Sequence, residues 1–418
     1  MILESSLYVH IPFCRKKCDY CDFYSIPSSA RKADGKSLSN DLTDDYINSV
    51  VAEARFYADF YGIDHWGTIY VGGGTPSLLS PKQVENLFCG IGKAASFDEK
   101  SEVTVEMNPD DVCPGLLEAC SASGVNRLSL GVQALDDSAL AAVHRGCSSA
   151  SVRAALELLD SSWGGRLSVD FIAGLPKQTF SSFEKQFDEI FRLKKIDHIS
   201  LYTLTIEDGT PLGKKVESGE VGFSFDKADR MWILGRNILE RNGFMQYEVS
   251  NFSKPGFESR HNSSYWKLRN YIGCGAGASG TWYGADLRDD EALRWTNTRA
   301  VPAYVDFWKR GGGFPLERKA EESGLLRDCE RLDRRTLEFE YLMMGFRMRE
   351  GVLEEDFGRR FGKSLLDYKN ASGVTFSRIF SEWKKNRLAS LVETSDGNRY
   401  CLNRRGILLL NRFLESLI

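Results

Sequence analysis

Three cysteines near the start of the chain are spaced as ligands of a metal cluster. Cys14, Cys18 and Cys21 follow the apolar stretch Leu7–Ile11 with the spacing C-x3-C-x2-C. Three thiolates this close can hold three corners of a 4Fe–4S cube and leave the fourth iron open to a small molecule. A zinc site would need a fourth ligand, for which His65 is the candidate before the next cysteine. A disulfide framework fits poorly because three is an odd number and the chain is long. Three unliganded cysteines remain the alternative.

A glycine-rich turn follows the next apolar segment. Gly72 to Pro76 (GGGTP) comes directly after the strand-like run Thr68–Val71. Glycines at such a position let a ligand approach the backbone, whose N–H and C=O groups can bind amino and carboxylate groups. The segment lacks the Lys-Ser/Thr pair of a P-loop and does not fit G-x-G-x-x-G. Taken alone, it is more often an ordinary turn than a binding site.

Polar side chains also lie in three later strand-like runs. Glu106 lies in TVEMNPD, Gln133 ends RLSLGVQ, and Asp170 lies in SVDFIAGLP. Each alone is more often a solvated or hydrogen-bonded residue than a ligand. Together they would surround one mouth of a barrel that also carries the cysteines. Arg145 follows on the next helix, and its planar guanidinium suits both oxygens of a carboxylate. The pattern predicts a polar binding site at that mouth.

A second group of candidate residues lies in the sequence HNSSYW. His261 and Asn262 are followed by Tyr265 and Trp266, which stand four and five positions after the histidine. A lone histidine in a chain with five of them is usually structural. Here the imidazole could also ligate iron, and two flat rings could pack on a macrocycle. The motif therefore makes haem a candidate ligand.

The elements that must position these residues alternate between strand-like and helix-like segments. Several of the strand-like runs are apolar almost throughout, as expected for parallel strands covered on both faces. Six repeats predict an α/β fold in which right-handed crossovers curl a parallel sheet into a barrel or partial barrel. The runs are Leu7–Ile11, Thr68–Val71, Val103–Met107, Arg127–Val132, Leu167–Ala173 and His198–Thr203, and the helical segments are 42–60, 81–95, 114–123, 136–160 (in one or two pieces) and 179–193.

From about Cys329 the pattern changes to helices followed by a small hairpin, which predicts an α+β module similar to a winged helix. The acidic balance of the chain favours a packing or docking role for this module over DNA binding. We expect three domains: 1–230, the barrel with the cysteines; 231–315, a barrel extension with HNSSYW; and 316–418, the C-terminal module. The predicted C-terminal elements are helices at 331–347, 353–361 and 376–388 and strands at 391–393 and 400–402.

The composition is that of an ordinary globular protein. The 418 residues are 42% hydrophobic and 27% charged, which suffices for one large core and a smaller second one. A net charge of −4 gives no basic footprint for nucleic acid, so we expect no nucleic-acid partner. We find no apolar run of the length that spans a membrane and no signal peptide. We expect a cytoplasmic protein with reduced thiols, and leave open a peripheral position at a membrane.

Five segments in their order and spacing resemble the radical S-adenosylmethionine (SAM) enzymes: YVHIPFC-x3-C-x2-C, GGGTPS, VEMNP, RLSLGVQ and DFIAGLP. More narrowly, roughly residues 6–300 and the C-terminal module resemble the coproporphyrinogen III dehydrogenase-like (HemN/HemW) group. The resemblance implies a partial (β/α)6 barrel and a 4Fe–4S cluster on Cys14, Cys18 and Cys21, with SAM on the open iron. It implies that SAM is surrounded by Tyr8, Tyr20, Gly73, Gly74, Thr75, Glu106, Gln133, Arg145 and Asp170. The dehydrogenase branch binds two SAM molecules, so the last three residues are also open to assignment to a second site.

Three features favour the haem-chaperone (HemW-like) branch of this group. The dehydrogenase branch has a further cysteine two residues after the third, where this chain has Phe23. It also has a longer arm before its cluster, whereas 13 residues precede Cys14 here. The HNxxYW signature belongs to the chaperone branch and implies His261, Asn262, Tyr265 and Trp266 as haem candidates. His261 is then the candidate axial ligand, although the motif could act indirectly. Two positions depart from the family pattern. Cys147 and Ser279 stand where relatives often have histidine.

The resemblance therefore implies a haem chaperone that binds haem and transfers it to an acceptor protein. A membrane-associated acceptor and a homodimer are left open. The alternative is an oxygen-independent coproporphyrinogen III dehydrogenase or another radical SAM oxidoreductase, in which a radical formed from SAM abstracts hydrogen from the substrate. A third alternative is a structural metal-binding barrel that has lost its function.

Overall fold

The computed structural model of the chain describes residues 3–27, 40–284, 292–312 and 326–418. Within these ranges the strands are β1 (Glu4–Ile11), β2 (Phe13–Cys14), β3 (Ile26–Pro27), β4 (His65–Gly73), β5 (Glu102–Met107), β6 (Arg127–Gln133), β7 (Arg166–Ala173), β8 (Ile196–Thr203), β9 (Met245–Gln246), β10 (Asn251–Ser253), β11 (Tyr271–Cys274), β12 (Ser279–Trp282), β13 (Leu293–Asn297), β14 (Leu326–Arg331), β15 (Val352–Leu353), β16 (Ala389–Thr394) and β17 (Gly397–Leu402). The α-helices there are α1 (Asn40–Tyr61), α2 (Pro81–Ala94), α3 (Pro114–Ala122), α4 (Asp137–Ala142), α5 (Ser149–Ser162), α6 (Phe180–Ile190), α7 (Pro211–Glu217), α8 (Phe225–Arg241), α9 (Arg260–Trp266), α10 (Val301–Lys309), α11 (Arg334–Gly345), α12 (Glu354–Phe361), α13 (Phe376–Lys385) and α14 (Leu410–Glu415).

A twelve-stranded sheet forms the wall of the barrel. At its centre β1, β4, β5, β6, β7 and β8 lie side by side in chain order and are all parallel. β11 adds a parallel strand beside β1, and β12, β13 and β14 continue antiparallel from there. β10 and β9 extend the other side, beyond β8. Among the described strands, the edge strands β14 and β9 do not pair with each other, as expected for a partial barrel. The predicted α/β class is confirmed.

The predicted elements agree closely with the observed ones. All six predicted strands lie inside the central parallel strands. The stretch predicted as helical from 136 to 160 forms two helices, because α4 ends before His144, which has a left-handed φ of 51°. The side chain of Ser148 then starts α5 with a capping box. Of the described helices, none is long and apolar enough to cross a bilayer.

The C-terminal residues form a second core. Side chains of α11, α12, α13 and α14 pack with the three-stranded sheet β15–β17–β16, which confirms the α+β prediction. This core also contains Leu268 and Tyr283, so the module packs against the segment that follows α9. The predicted domain boundary at 230 falls inside α8, and the one at 315 lies outside the described residues. The division into three domains stays a prediction.

The central strands have two chemically different faces. Leu7, Val9 and Ile11 of β1 are fully buried in the core between the sheet and its helices. The alternate residues of the central strands face the barrel interior and are mostly polar, so the expectation of strands apolar on both faces is wrong for the inner face. Buried polar groups need hydrogen-bond partners. Several of these side chains pair with one another across the barrel interior, whereas Thr104 Oγ1 and Arg127 Nε have no partner among the described residues. Three such pairs are Tyr70 with Glu106, Ser129 with Asp170, and Ser168 with His198.

A buried carboxylate ties α1 to the strands beside β1. Glu53 is fully buried and accepts hydrogen bonds from the Tyr304 hydroxyl, from the Gly275 N–H (2.8 Å) and from Asn297 Nδ2 (2.7 Å). These partners lie on α10, after β11 and at the end of β13. Burial raises the pKa of Glu53 to about 7, although the three hydrogen bonds oppose the shift. One side chain therefore joins four segments of the fold.

We expect Glu53→Ala to lower the free energy of unfolding by about 2–5 kcal/mol, because three buried donors lose their acceptor. The midpoint of urea unfolding, followed by tryptophan fluorescence, measures the change. The control is Glu85→Ala on α2, where an exposed Glu85 pairs with Lys82 at 3.2 Å. It should change stability by less than about 0.5 kcal/mol. Equal midpoints for the two variants would contradict the role given to Glu53.

Candidate functional site

The three cysteines lie on a loop that leaves the barrel after β1. Cys14 ends the short strand β2, and the Cys21 N–H donates to the Cys18 carbonyl (3.1 Å) in a tight turn. Two side chains from elsewhere in the fold reach the sulfurs. Thr75 Oγ1 lies 3.4 Å from Cys14 Sγ, and Arg145 Nη1 lies 3.7 Å from Cys18 Sγ. The Thr75 hydroxyl and the Arg145 guanidinium are thus positioned to donate hydrogen bonds to sulfur ligands of a metal cluster.

Asp19, which sequence reasoning missed, holds this loop against the barrel. Its Oδ2 pairs with His144 Nδ1 (2.7 Å) and with Lys215 Nζ (2.8 Å). Its backbone N–H donates to the Val143 carbonyl (3.0 Å), and its carbonyl accepts from the Leu212 N–H (2.9 Å). The segments after β6 and β8 therefore fix the loop between Cys18 and Cys21. A charged residue inside a cysteine motif was the signal in the sequence.

The glycine turn after β4 lets the chain pass close to the cysteine loop. The Gly74 N–H donates to the Ile11 carbonyl (2.8 Å), and a Cβ at this position would lie 2.7 Å from the Phe13 oxygen. Gly73 has a φ of +111°, which residues with a side chain rarely adopt. Its N–H donates to Glu106 Oε2 (3.0 Å). The GGGTP segment is therefore a place of close backbone approach, beyond an ordinary turn.

A cavity of about 490 Å³, here called the upper cavity, opens at the C-terminal ends of the parallel strands. Its walls come from the cysteine loop, from the central strands and from α9. A volume of this size suits one small-molecule ligand. It brings together these residues predicted from the sequence: Cys14, Cys18, Tyr20, Cys21, Gly73, Gly74, Thr75, Glu106, Gln133, Arg145, Asp170 and Asn262.

Glu106 is a buried carboxyl group in the wall of the upper cavity. Its Oε1 accepts from the Tyr70 hydroxyl (2.8 Å), and its Oε2 accepts from the Gly73 N–H (3.0 Å). Burial raises the pKa of Glu106 to about 7, although the Tyr70 hydrogen bond opposes the shift. A cationic group in the cavity would favour the ionised form. Glu106 can therefore bind an amino group.

Three further side chains of this wall come from β6, from the segment after α4 and from β7. Arg145 Nη2 donates to Asn108 Oδ1 (2.9 Å) and to the Gly131 carbonyl (2.8 Å). Its buried Nε has no hydrogen-bond partner among the described residues. Gln133 adopts a φ of 66° at a register shift in β6. Burial raises the pKa of Asp170. The Arg145 guanidinium beside the carboxyl groups of Glu106 and Asp170 suits a ligand that carries a positive and a negative charge.

Tyr8 stands behind this wall instead of lining the upper cavity. Its hydroxyl is 2.9 Å from His10 Nδ1, and its ring stacks on Tyr70 with centroids 6.3 Å apart. Tyr70 in turn holds Glu106. Tyr8 therefore supports the residues that line the cavity. Neither Tyr70 nor His10 stood out in the sequence; the signal for both was a polar residue at alternate positions of an apolar strand.

The HNSSYW residues form α9, whose N-terminus is bonded to a buried carboxylate. Glu102, at the start of β5, accepts from the Arg260 N–H (3.0 Å), the His261 N–H (2.9 Å) and Ser259 Oγ (3.2 Å). A carboxylate at this end satisfies free backbone donors and is favoured by the helix dipole. Glu102 was also missed in the sequence. The available signal was a charged residue at the first position of a buried strand.

Both ring nitrogens of His261 are engaged. Nδ1 is 2.7 Å from Thr68 Oγ1, Nε2 is 2.7 Å from the Tyr265 hydroxyl, and the ring stacks on Tyr70. Burial lowers the pKa of His261 to about 3, so the imidazole is neutral. A neutral imidazole has one free lone pair on nitrogen, and a hydroxyl uses it here. Iron ligation by His261 would require a hydroxyl to move away, whereas an indirect role requires no change.

The other motif residues reach different parts of the molecule. Asn262 lines the upper cavity. The Tyr265 ring packs edge-on against Tyr271 with centroids 4.7 Å apart. Trp266 lines a separate cavity beside the C-terminal module, where the Arg347 guanidinium lies 5.7 Å from its ring. The motif thus connects the barrel interior with β11 and with the C-terminal module. Its two aromatic rings occupy different environments.

Comparison with known proteins shows the family. The Radical SAM superfamily pattern matches residues 8–190. Heme chaperone HemW of Lactococcus lactis subsp. lactis (strain IL1403) is 31% identical over 99% of this chain and 97% of that protein. The chain belongs to the HemW family of radical SAM proteins. The mitochondrial radical S-adenosyl methionine domain-containing protein 1 of Bos taurus is 39% identical over 66% of this chain and 60% of that protein.

The fold of this HemW-family chain is similar to that of a solved radical SAM enzyme. Coproporphyrinogen III oxidase (HemN) from Escherichia coli aligns with a TM-score of 0.76 over 100% of this chain and 90% of that chain, at 19% identity. At this identity the likeness concerns the fold alone. It confirms the predicted radical SAM architecture, including its continuation into the C-terminal module.

The cysteine loop fits the 4Fe–4S cluster that the superfamily implies. Three thiols line one cavity, and Thr75 and Arg145 approach two of the sulfurs. Among the described residues, no three His, Cys, Asp or Glu side chains converge as ligands of a single metal ion. A cluster makes a different demand, because each of its thiolates binds a separate iron.

We expect Gly74→Ala to prevent cluster assembly, because the added methyl group would lie 2.7 Å from the Phe13 carbonyl and displace the loop. Iron and sulfide per chain after anaerobic reconstitution should fall towards the content of a Cys14→Ala variant. The control is Gly115→Ala, where a Cβ would meet no atom within 4 Å. It should retain the wild-type content. A fully loaded Gly74→Ala protein would show that the close approach is not required.

Proposed function

We propose that this chain is a haem chaperone, which binds haem and transfers it to an acceptor protein. The near full-length similarity to a bacterial protein named heme chaperone HemW carries the proposal. Two features of the residues support it. The HNSSYW motif is complete, and Phe23 stands where the dehydrogenase branch has its further cysteine.

We propose that the upper cavity binds SAM beside the cluster. Glu106 and Arg145 carry the charges that its ammonium and carboxylate groups need, while Gln133 and Asp170 complete the wall. The bound cluster would supply an open iron and an electron for SAM. Its ligands would be Cys14, Cys18 and Cys21.

The contribution of HNSSYW to haem binding is part of this proposal. Because both nitrogens of His261 are hydrogen-bonded, we favour a role in holding α9 over direct ligation. Tyr265 and Trp266 would act in the same way, since the first packs on Tyr271 and the second lies against Arg347. Asn262 would act from the wall of the upper cavity. The axial-ligand role remains the alternative, and it predicts a different haem spectrum.

A second candidate function is oxidative decarboxylation of a porphyrinogen. The complete set of polar residues in the upper cavity favours this candidate, because radical chemistry would need the same SAM site. Phe23 counts against it: its ring is 70% exposed at the edge of that cavity and offers no thiol. A decarboxylated product formed only with SAM and a reductant would support the enzyme.

The proposal requires a haem-acceptor protein and a compartment that keeps the cysteine ligands reduced, such as the cytoplasm. An acceptor at the membrane surface and a homodimeric state belong to the same proposal. Light scattering with and without haem measures the oligomeric state. Incubation of haem-loaded protein with membrane vesicles that contain apo-cytochromes measures transfer.

We expect the reconstituted protein to bind haem saturably, seen as a Soret absorbance band with one haem per chain. His261→Ala should weaken binding without moving the band, because α9 loses an anchor while the iron ligand remains. His65→Ala, at the half-buried start of β4, is the control and should bind as the wild type does. A shifted band in His261→Ala would restore the ligand role. Absence of saturable binding by the wild type would contradict the chaperone function.

We expect the affinity for SAM to rise between about pH 6 and about pH 7.5, because Glu106, with its pKa raised to about 7, must be ionised to hold an ammonium group. Glu106→Gln should weaken binding by about 10- to 100-fold and flatten this dependence. Calorimetric titration at several pH values measures both. Glu118→Gln, on the exposed face of α3, is the matched control. A steep pH dependence that survives in Glu106→Gln would assign it to another group.

A further inference from the structure

Arg127, the first residue of β6, is a buried cation at the inner end of the upper cavity. It lines the cavity together with Ser129, Gly131 and Gln133 of the same strand, so the cavity follows β6 along its length. Gln133 ends the strand near the mouth, and Arg127 therefore enters the cavity from its floor. The residue is 2% exposed. Sequence reasoning missed it, because an arginine at the first position of a strand is ordinarily exposed.

The guanidinium of Arg127 lacks a hydrogen-bond acceptor in the part of the chain that the structure describes. Its Nε is buried without a partner, and its two terminal nitrogens form no hydrogen bond or ion pair with a described residue. A guanidinium has five N–H donors and stays charged in proteins. Burying such a group without acceptors is costly. The unmet donors therefore call for an acceptor from outside the chain.

The carboxylates whose charges reach Arg127 are bonded to other groups. Glu102 accepts three hydrogen bonds from Ser259 and the first turn of α9, and Asp170 accepts one from Ser129 Oγ (3.2 Å). Burial lowers the pKa of Arg127, but the charges of its neighbours, Glu102 first among them, raise it overall. These charges keep the guanidinium ionised and leave its N–H donors without a described acceptor.

A second unpartnered group stands beside Arg127. Thr104 pairs with Arg127 in the register between β5 and β6, so the two side chains leave the sheet on the same face. The Thr104 hydroxyl is buried and also has no partner among the described residues. Two neighbouring strands thus present unmet donors at the same level of the barrel. A local shortage of acceptors is expected where the acceptor is a ligand.

We propose that Arg127 forms an anion subsite at the floor of the upper cavity and binds a carboxylate group of the ligand that enters there. The planar fork of a guanidinium matches the two oxygens of a carboxylate. The inference rests on the proposed binding of SAM and haem. It goes beyond that proposal by naming a residue that distinguishes ligands with a carboxylate at the floor from ligands without one.

Two proposed ligands of the chain carry carboxylates, because SAM has one and haem has two on its propionates. Arg145 lies beside the cysteine loop, and its terminal nitrogens already contact Cys18 Sγ, Asn108 Oδ1 and the Gly131 carbonyl. Arg127 has all of its donors available at the floor. The chemistry of the subsite is therefore that of a carboxylate, and its source is decided by comparing ligands with and without this group.

Arg127→Gln tests the subsite, because the amide stays polar but removes the charge and the fork. The affinity for the ligand that supplies the carboxylate should fall by about 10- to 100-fold. Calorimetric titration of the reconstituted protein measures SAM binding, and the Soret band measures haem binding. The matched control is Arg236→Gln on α8, since Arg236 is also 2% exposed with an unpartnered Nε but lies outside the upper cavity. It should bind both ligands as the wild type does.

Ligands that lack the carboxylate show what Arg127 recognises. If SAM supplies the group, Arg127→Gln should lose affinity for SAM but bind decarboxylated SAM as the wild type does. If a propionate supplies it, the variant should lose affinity for haem but bind haem dimethyl ester as the wild type does. Either result supports the subsite and identifies its ligand. Equal losses for a ligand and its carboxylate-free analogue, or no loss for any ligand, would overturn the proposal.

Arg127→Lys provides a second variant in case Arg127→Gln does not fold. Lysine keeps a positive charge inside the barrel but replaces the planar fork with a single ammonium group. The affinity for the carboxylate ligand should fall by less than in Arg127→Gln, while the carboxylate-free analogue binds unchanged. Circular dichroism and the midpoint of urea unfolding establish that each variant is folded. Equal effects on the ligand and its analogue would overturn the proposal here as well.

The wild type separates failure of the subsite from failure of the proposed function. If the reconstituted wild type binds neither SAM nor haem, the proposed function fails. If it binds both, and folded Arg127 variants affect neither ligand or affect each ligand and its analogue equally, the subsite fails while the proposed function stands.

Discussion

Burial of polar side chains inside the barrel is the constraint on which the rest of the structure depends. A buried donor or acceptor without a partner costs about 1–3 kcal/mol, so the inner residues of the parallel strands must bond to one another or to something placed among them. Tyr70 with Glu106 and Thr68 with His261 are parts of this set. Glu102 brings the first turn of α9 into it. The helix that carries HNSSYW is thus held by the bonds that satisfy the barrel interior.

The same constraint explains why the two ends of the barrel differ. At the C-terminal ends of the strands, Gly73 and Gly74 let the cysteine loop and the Glu106 carboxyl approach one another, and the result is a confined cavity. At the N-terminal ends, α9 and the C-terminal module border a wider space lined by charged side chains. The short helix α9 separates the two spaces, and its bonds to Thr68 and Glu102 hold it in place.

The candidate site shows where local sequence patterns are informative and where they are not. The cysteine spacing, the GGGTP turn, Glu106, Gln133, Arg145 and Asp170 were all apparent from residue type and from their places in or after the predicted strands. The structure brings them into one cavity. Asp19, Tyr70 and Glu102 were not recognised from the sequence. A single polar residue in an apolar strand or in a cysteine loop does not indicate which residue it will bond to. The motif HNSSYW was found, yet its geometry differs from a flat haem face.

The sequence by itself determined the six parallel strands, the order of the helices and the chemical types at the strand ends. These depend on local periodicity and on residue chemistry, which a chain displays directly. Only the tertiary structure decided which atoms meet. His261 is bonded to Thr68, 193 positions away, and Arg145 reaches Cys18 across 127 positions. Such contacts follow from strand register and from the packing of α9 inside the barrel, and these arise from the summed burial of the whole chain.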